Sequence, residues 1–304
     1  MRMIRQSDAV DLNLAPKGTI KPHAGRDSGR TQQRMLSVLP PHVALRRYVA
    51  GYWFVEDIAG TYEGRAIWTA PFNGAVFTVN IGRPNAMVGG PVVPRISLLG
   101  PQSERRQWLS WAETCFAMAI LTPAGLARLF PHHGTSTRDR LVELSALLGE
   151  GATGGLMVDA TAAPDFGSLA ECLDRWLLAR LEQVPPLAVL NRIDFARRAL
   201  ASGASVEQAA ATLEVSRRQL HRWFVDHLGR GPREFAALER LQASLRAHQW
   251  RSGDPLAGYS DQSHRIRDWR RRLGLTPGQY TSCAISPMAE TFQTSAVEAP
   301  AFYL

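Results

Sequence analysis

The pattern at residues 216–235 returns 45 residues later at 261–280. Leu220, Arg222, Phe224, Gly229, Gly231, Pro232 and Phe235 are matched at that offset by Arg265, Arg267, Trp269, Gly274, Thr276, Pro277 and Tyr280. Self-similarity at a fixed period means one supersecondary unit used twice. Each copy is a short helical segment rich in arginine, closed by a Gly/Pro stop and an aromatic anchor. A chain that spends its C-terminal third this way is built to hold two equivalent basic helices.

Charge placement supports that reading. The formal net charge is +8, yet residues 35–185 carry 12 basic and 13 acidic side chains. Residues 186–283 carry 16 arginines, no lysine and 9 acids. A near-neutral domain followed by a basic one implies that the second meets a polyanion. Arginine also binds guanine or phosphate through two parallel hydrogen bonds, which lysine does not. A general preference for arginine explains the residue type, since Lys17 and Lys21 are the only lysines, but not the clustering.

Residues 1–34 are polar, with a net charge of +4 and no hydrophobic periodicity, and read as a disordered basic arm. Residues 35–185 read as a β-rich domain. Short runs rich in Val, Ile, Phe, Trp and Tyr, at Tyr52–Val55, Ala66–Thr69, Ala75–Ile81, Ile96–Leu99 and Cys115–Leu121, are separated by Gly, Pro and Asn. They predict a small sandwich or barrel. Helices are expected over Pro41–Ala50, Pro123–Phe130, Leu141–Leu148 and Phe166–Gln183. In the last, Leu169, Leu173, Trp176, Leu177 and Leu181 form one apolar stripe, which serves either the core or a dimer seam. Pro185-Pro186 marks a domain boundary. The fold class is therefore α+β, with an all-α segment at 186–283 and a flexible tail at 284–304.

Within the basic segment, Ser205-x-x-Gln208 and Ser216-x-x-Gln219 both have the form of a capping box. Two helix starts eleven residues apart leave room for one short helix and a tight turn. The second helix buries Leu220, Trp223 and Phe224 and presents Arg218, His221, Arg222 and Val225 on its opposite face. This is the layout of a helix-turn-helix, whose second helix enters the major groove. From Pro232 an apolar pattern of Phe235, Leu238, Leu241 and Leu245 predicts a linking helix to about Trp250. Eighteen residues at ~1.5 Å each span roughly 27 Å, near the ~34 Å between successive major grooves on one face of DNA.

At this point the segment from about Leu187 to Tyr280 resembles the AraC/XylS family of transcription regulators. The likeness rests on Ser216-x-x-x-Leu220-x-Arg222-x-Phe224, Gly229-x-Gly231-Pro232, Arg240, the run Gly258-Tyr259-Ser260-Asp261-Gln262-Ser263-His264, Arg267-Asp268-Trp269 and Gly274-Leu275-Thr276-Pro277. The resemblance implies two helix-turn-helix units with recognition helices near 216–228 and 261–273. It implies DNA contacts from Arg217, Arg218, His221, Arg222, Gln262, Ser263, His264 and Arg267. Double-stranded DNA is the implied partner. The resemblance also leaves room for RNA polymerase, a small-molecule effector in the N-terminal domain and a homodimer. Two departures stand out: only Asp254–Ala257 precedes Gly258 where the family places a full helix, and Arg265 occupies the core slot of Leu220. A guanidinium in a core slot costs several kcal/mol unless paired or snorkelling.

No cofactor or metal is called for. His132-His133 has no third ligand at helical spacing and is expected in a surface loop. The cysteines Cys115, Cys172 and Cys283 form neither a disulfide framework nor a zinc spacing. No apolar stretch reaches the ~18–20 residues that span a bilayer, and Met1 to Val10 lacks the apolar core of a signal peptide. A cytoplasmic, non-catalytic, bacterial-type regulator is the expectation. The alternatives from other classes are an enzyme or DNA-repair alkyl-acceptor using Cys115, and a protein-interaction adaptor. The aromatics Trp53, Trp68, Phe72, Phe77, Trp108 and Trp111 serve either the core or an apolar ligand pocket.

Overall fold

The computed structural model describes residues 36–282, 286, 288–289 and 300–304. The expected basic arm, Cys283 and most of 284–299 lie outside the described residues. The N-terminal half carries strands β1 (Leu36–Leu39), β2 (Val49–Asp57), β3 (Ile67–Thr69), β4 (Ala75–Asn80), β5 (Ala86–Met87), β6 (Ile96–Leu99), β7 (Arg106–Leu109), β8 (Thr114–Leu121) and β9 (Leu141–Glu143). Six of them make an antiparallel sheet in the order β1-β2-β8-β4-β6-β9, and three make a small sheet in the order β3-β7-β5.

The central strands are apolar on both faces because both faces are covered. Tyr52, Phe54, Phe77, Val79, Leu98, Ala117 and Ala119 pack on one side with the helices. Trp53, Val55, Val76, Phe116, Met118 and Ile120 pack on the other with Ile67 and Trp108 of the small sheet. The antiparallel register sets these layers, pairing Trp53 with Met118 and Val76 with Ile120.

The helices of this half are α1 (Pro123–Leu129), α2 (Gly134–Thr137), α3 (Leu144–Leu148), α4 (Gly154–Ala162) and α5 (Phe166–Gln183). α5 starts where Asp165 accepts the Ser168 amide, 2.7 Å away. Its stripe of Leu169, Leu173 and Leu177 is buried in the sheet's core. Phe166 stacks on Phe54 and Trp176 on Phe77. The stripe is thus used for packing within the chain. Val184 ends α5, and Pro185 and Pro186 follow.

Helices α6 (Leu190–Ala201), α7 (Val206–Thr212), α8 (Arg217–Leu228), α9 (Pro232–Gln249), α10 (Gln262–Leu273) and α11 (Pro277–Ser282) complete the described chain. α6 to α9 pack around Leu220, Phe224 and Phe235, and Ala124 and Ala127 of α1 join the same apolar cluster.

Three expectations are corrected. Only Val43–Leu45 of Pro41–Ala50 is helical, as one 3-10 turn, because β2 begins at Val49. Leu141–Leu148 splits, since Leu141–Glu143 pairs with the edge of β6 before α3 begins; strand pairing overrides the local pattern. Residues 300–304, expected in a loose tail, lie beside β3, with Phe302 and Tyr303 buried against the small sheet and Ala301 against α9.

Candidate nucleic-acid interface

The first unit is built from α6 to α8. Ser205 closes a full capping box with Gln208, each side chain bonded to the other's backbone amide. Ser216 accepts the Gln219 amide at 3.1 Å, but the Gln219 side chain does not return the bond. It instead accepts from Arg222 at 2.5 Å. Between α7 and α8 the chain turns through Glu214, whose φ of 54° is left-handed. Leu220 and Phe224 are fully buried, with Phe224 edge-on to Phe235.

On the opposite side Arg217, Arg218, His221 and Arg222 are exposed. Arg217 is held by Glu207 at 3.2 Å, whereas Arg222 lies along the helix surface toward Gln219. Trp223 is half-buried beneath the guanidinium of Arg192. Val225, which the pattern places on the outer face, is half-buried instead, and its carbonyl accepts from Thr135 at 2.9 Å.

In the second unit α10 repeats α8, and α11 begins at Pro277 as α9 begins at Pro232. α8 and α10 have equal length at the 45-residue offset, and both end on left-handed glycines, Gly229 and Gly274. Asp261 caps α10 by accepting the His264 amide at 2.7 Å. That bond, then the Ser260 hydroxyl, holds the Asp261 carboxyl below its usual range. Gln262, Ser263 and Arg267 are exposed. His264 is half-buried, bonded through Nδ1 to Ser260 at 3.2 Å and flanked by the Tyr259 ring, so it serves the turn as well as the surface. Trp269 and Leu273 are buried against Leu241 and Leu245 of α9.

Two departures from the first unit are structural. Residues 255–258 form a turn where the first unit has α7. Arg265 is buried in the slot of Leu220, and its Nη1 donates to the Pro255 carbonyl at 3.5 Å.

Long-range contacts tie both units to the β-rich half, and the sequence gives no local signal for them. Arg138 donates to the Gly229 carbonyl and to Glu234, the latter at 2.6 Å. Asn73 donates to the Phe235 carbonyl and to Glu239 of α9. The amide of Arg105 donates to the Arg272 carbonyl, and Arg272 returns a bond to the Ser103 carbonyl. His132-His133 lies in a turn beside this contact, with His132 exposed, as expected, and its ring 6.0 Å from that of His227.

The competing chemistry has less support. Burial, then Glu56, pushes the Cys115 thiol up to about 11, leaving little thiolate at neutral pH. Among the described residues no three His, Cys, Asp or Glu side chains are grouped to hold a metal ion. No helix among them is long and apolar enough to cross a membrane.

Residues 209–282 match the family model of a helix-turn-helix domain. No curated protein matches the chain. Among solved structures, ToxT from Vibrio cholerae is similar at 10% identity and a TM-score of 0.42, over 76% of this chain and 96% of that one. ToxT with a bound unsaturated fatty acid gives 10% and 0.39, over 76% and 93%. ToxT from strain O395 bound to (E)-4-(8-methylnaphthalen-1-yl)but-3-enoic acid gives 9% and 0.42, over 75% and 98%. A repeated helix-turn-helix with an exposed arginine face, matched by that family model, defines a sequence-specific DNA-binding protein. The family shown is thus that of the helix-turn-helix domain over residues 209–282, and the AraC-type likeness of its motifs agrees with it.

Proposed function

We propose that this regulator reads duplex DNA chiefly through α8, with Arg218, His221 and Arg222 reaching base edges and Arg217 bonding phosphate. The observation that carries the reading is the division of α8. Leu220 and Phe224 are fully buried while four hydrogen-bonding side chains stand exposed one to two turns along the other side. Such a helix fits a major groove about 12 Å wide, where arginine pairs with guanine O6 and N7. On the same reading Gln262, Ser263, His264 and Arg267 meet a second stretch of DNA, and α9 sets the spacing. Residues 35–185 act as the regulatory domain through the contacts at Asn73, Arg105, Thr135 and Arg138. The protein acts in the cytoplasm without catalysis.

The test is binding of the full chain to genomic fragments in rising salt. Counterion release predicts a steep fall in affinity between about 50 and 200 mM salt and a footprint at defined sequences. A flat salt response, or no protected site, would refute the reading.

A further inference from the structure

The last five residues of the sequence behave as a bound peptide. Pro300–Leu304 runs antiparallel beside β3 as an added edge strand: the Ala70 amide donates to the Phe302 carbonyl at 2.6 Å, the Leu304 amide to the Trp68 carbonyl at 3.0 Å, and Thr69 faces Tyr303 in the bridge. Two rings fill the space between the sheets. Phe302 meets Trp53 and Phe72 edge-on, and Tyr303 stacks on Trp53 and reaches the Met118 sulfur. The other side of the segment is held by α9. Gln242 accepts from the Ala301 amide at 2.9 Å and donates to the Pro71 carbonyl at 2.7 Å. Two helical turns further along the same face, Gln249 donates to the Tyr303 carbonyl at 2.8 Å.

Main-chain pairing along a sheet edge, with side chains sunk in apolar pockets, is how extended peptides are recognised. We infer that the edge of β3 and the apolar cleft behind it form a peptide-binding groove, that its occupant is the chain's own Pro300–Leu304, and that this occupancy fastens α9 to the β-rich half. Two features fit an exchangeable occupant. A cavity of about 50 Å³ remains beside the segment, walled in part by Ile67, Val93, Trp108, Phe302 and Tyr303. That volume has room for no more than a few waters, so the Phe302 and Tyr303 rings themselves are what fill the cleft. Secondly, the segment bonds to the small sheet and to α9 at once, and Ala301 and Leu304 join the apolar cluster where Trp269 and Leu273 of α10 rest on α9. Vacating the groove therefore loosens α9 and the packing of α10 on it, while the exposed side chains of α8 keep their support from α6, α7 and Phe235.

The experiment uses the full chain and a version ending at Ala299. A fluorescein-labelled peptide Ala-Pro-Ala-Phe-Tyr-Leu is expected to bind the shortened protein saturably and the full chain at least tenfold more weakly, because its groove is filled. Equal binding to both, or none to a shortened protein with unchanged circular dichroism, overturns the inference. Should the shortened chain fail to fold, the full chain carrying Phe302→Ala and Tyr303→Ala is read by hydrogen exchange. The Ala70 amide and the amides of 242–249 are then expected to exchange at least tenfold faster while those of β8 keep their rates. Unchanged exchange at Ala70 and in α9 overturns it equally.

Discussion

Gly134, the first residue of α2, lies so close to Gly229, the left-handed residue that ends α8, that a Cβ on Gly134 would sit 2.7 Å from the Gly229 nitrogen. Two backbones in contact transmit position with no side chain between them. The Thr135 and Arg138 bonds to Val225 and Gly229 flank this contact on the same short helix.

Gly134→Ala is therefore expected to force α2 from α8 and cost about 1–3 kcal/mol, as overpacking does. DNA affinity should change with it, although none of the proposed DNA contacts is touched. Thermal melts and fluorescence anisotropy on a labelled operator check both effects. Wild-type values in both would mean that the contact carries no coupling.

The same contact predicts a pH response. His227 is buried, and its pKa is lowered by burial first and the neighbouring His132 next, with Asp226 opposing. His133 is lowered by burial, Arg180 and His132. A histidine depressed in the folded state binds fewer protons than the unfolded chain below about pH 6.5. Its stability is present above that value and is lost as pH falls through the folded pKa. The melting temperature is thus expected to drop from pH 7 toward pH 5, and less steeply in His227→Gln. Parallel profiles for variant and wild type would remove His227 from the explanation.

Reading and packing should separate within α8. Arg222→Ala is expected to weaken specific binding by roughly 1–3 kcal/mol for a lost base contact while leaving the melting temperature near wild type. Phe224→Ala is expected to destabilise by about 3–5 kcal/mol, because the ring is fully buried and leaves a cavity. Two equally unstable variants would show that the two faces of α8 are assigned wrongly.

How much of this was legible in sequence depends on range. The offset from Leu220 to Arg265 locates both α8 and α10 because capping residues, closing glycines and apolar spacing act within a few residues. Ile96–Leu99 and Phe166–Gln183 were read to the residue for the same reason. β9 was misread as helix because its strand state comes from pairing with β6, which no local pattern encodes. The clasp of Arg138 on Gly229 and Glu234, and the burial of Phe302 and Tyr303, span about ninety residues or more and left no periodic trace. His264 is expected only as a DNA contact, since its bond to Ser260 depends on the geometry of the turn.

Glu214 offers a test of the turn itself. Its left-handed φ of 54° costs a side-chain-bearing residue roughly 1–2 kcal/mol. Glycine removes that cost but adds unfolded-state freedom worth about 0.4–1 kcal/mol. Glu214→Gly should therefore stabilise the chain by about 0.5–1 kcal/mol, seen as a raised denaturant midpoint with unchanged DNA affinity. A lowered midpoint would mean that Glu214 makes a stabilising contact outweighing its strain.

The two units should not read DNA equally. α8 rests on α7 through a capped helix and a tight turn, whereas α10 is supported by the turn at 255–258 and by Arg265, whose single bond to the Pro255 carbonyl is 3.5 Å long. A helix held by fewer apolar contacts positions its side chains less sharply, and base readout depends on that position more than phosphate contact does. Arg267→Ala is therefore expected to lower affinity nearly uniformly across sequences and to reduce the salt slope by about one. Arg218→Ala and Arg222→Ala should instead relax base preference at defined positions. Binding-site selection on each variant distinguishes the two behaviours. If Arg267→Ala erased a sharp preference about one helical turn from the first half-site, α10 would be a base reader equal to α8.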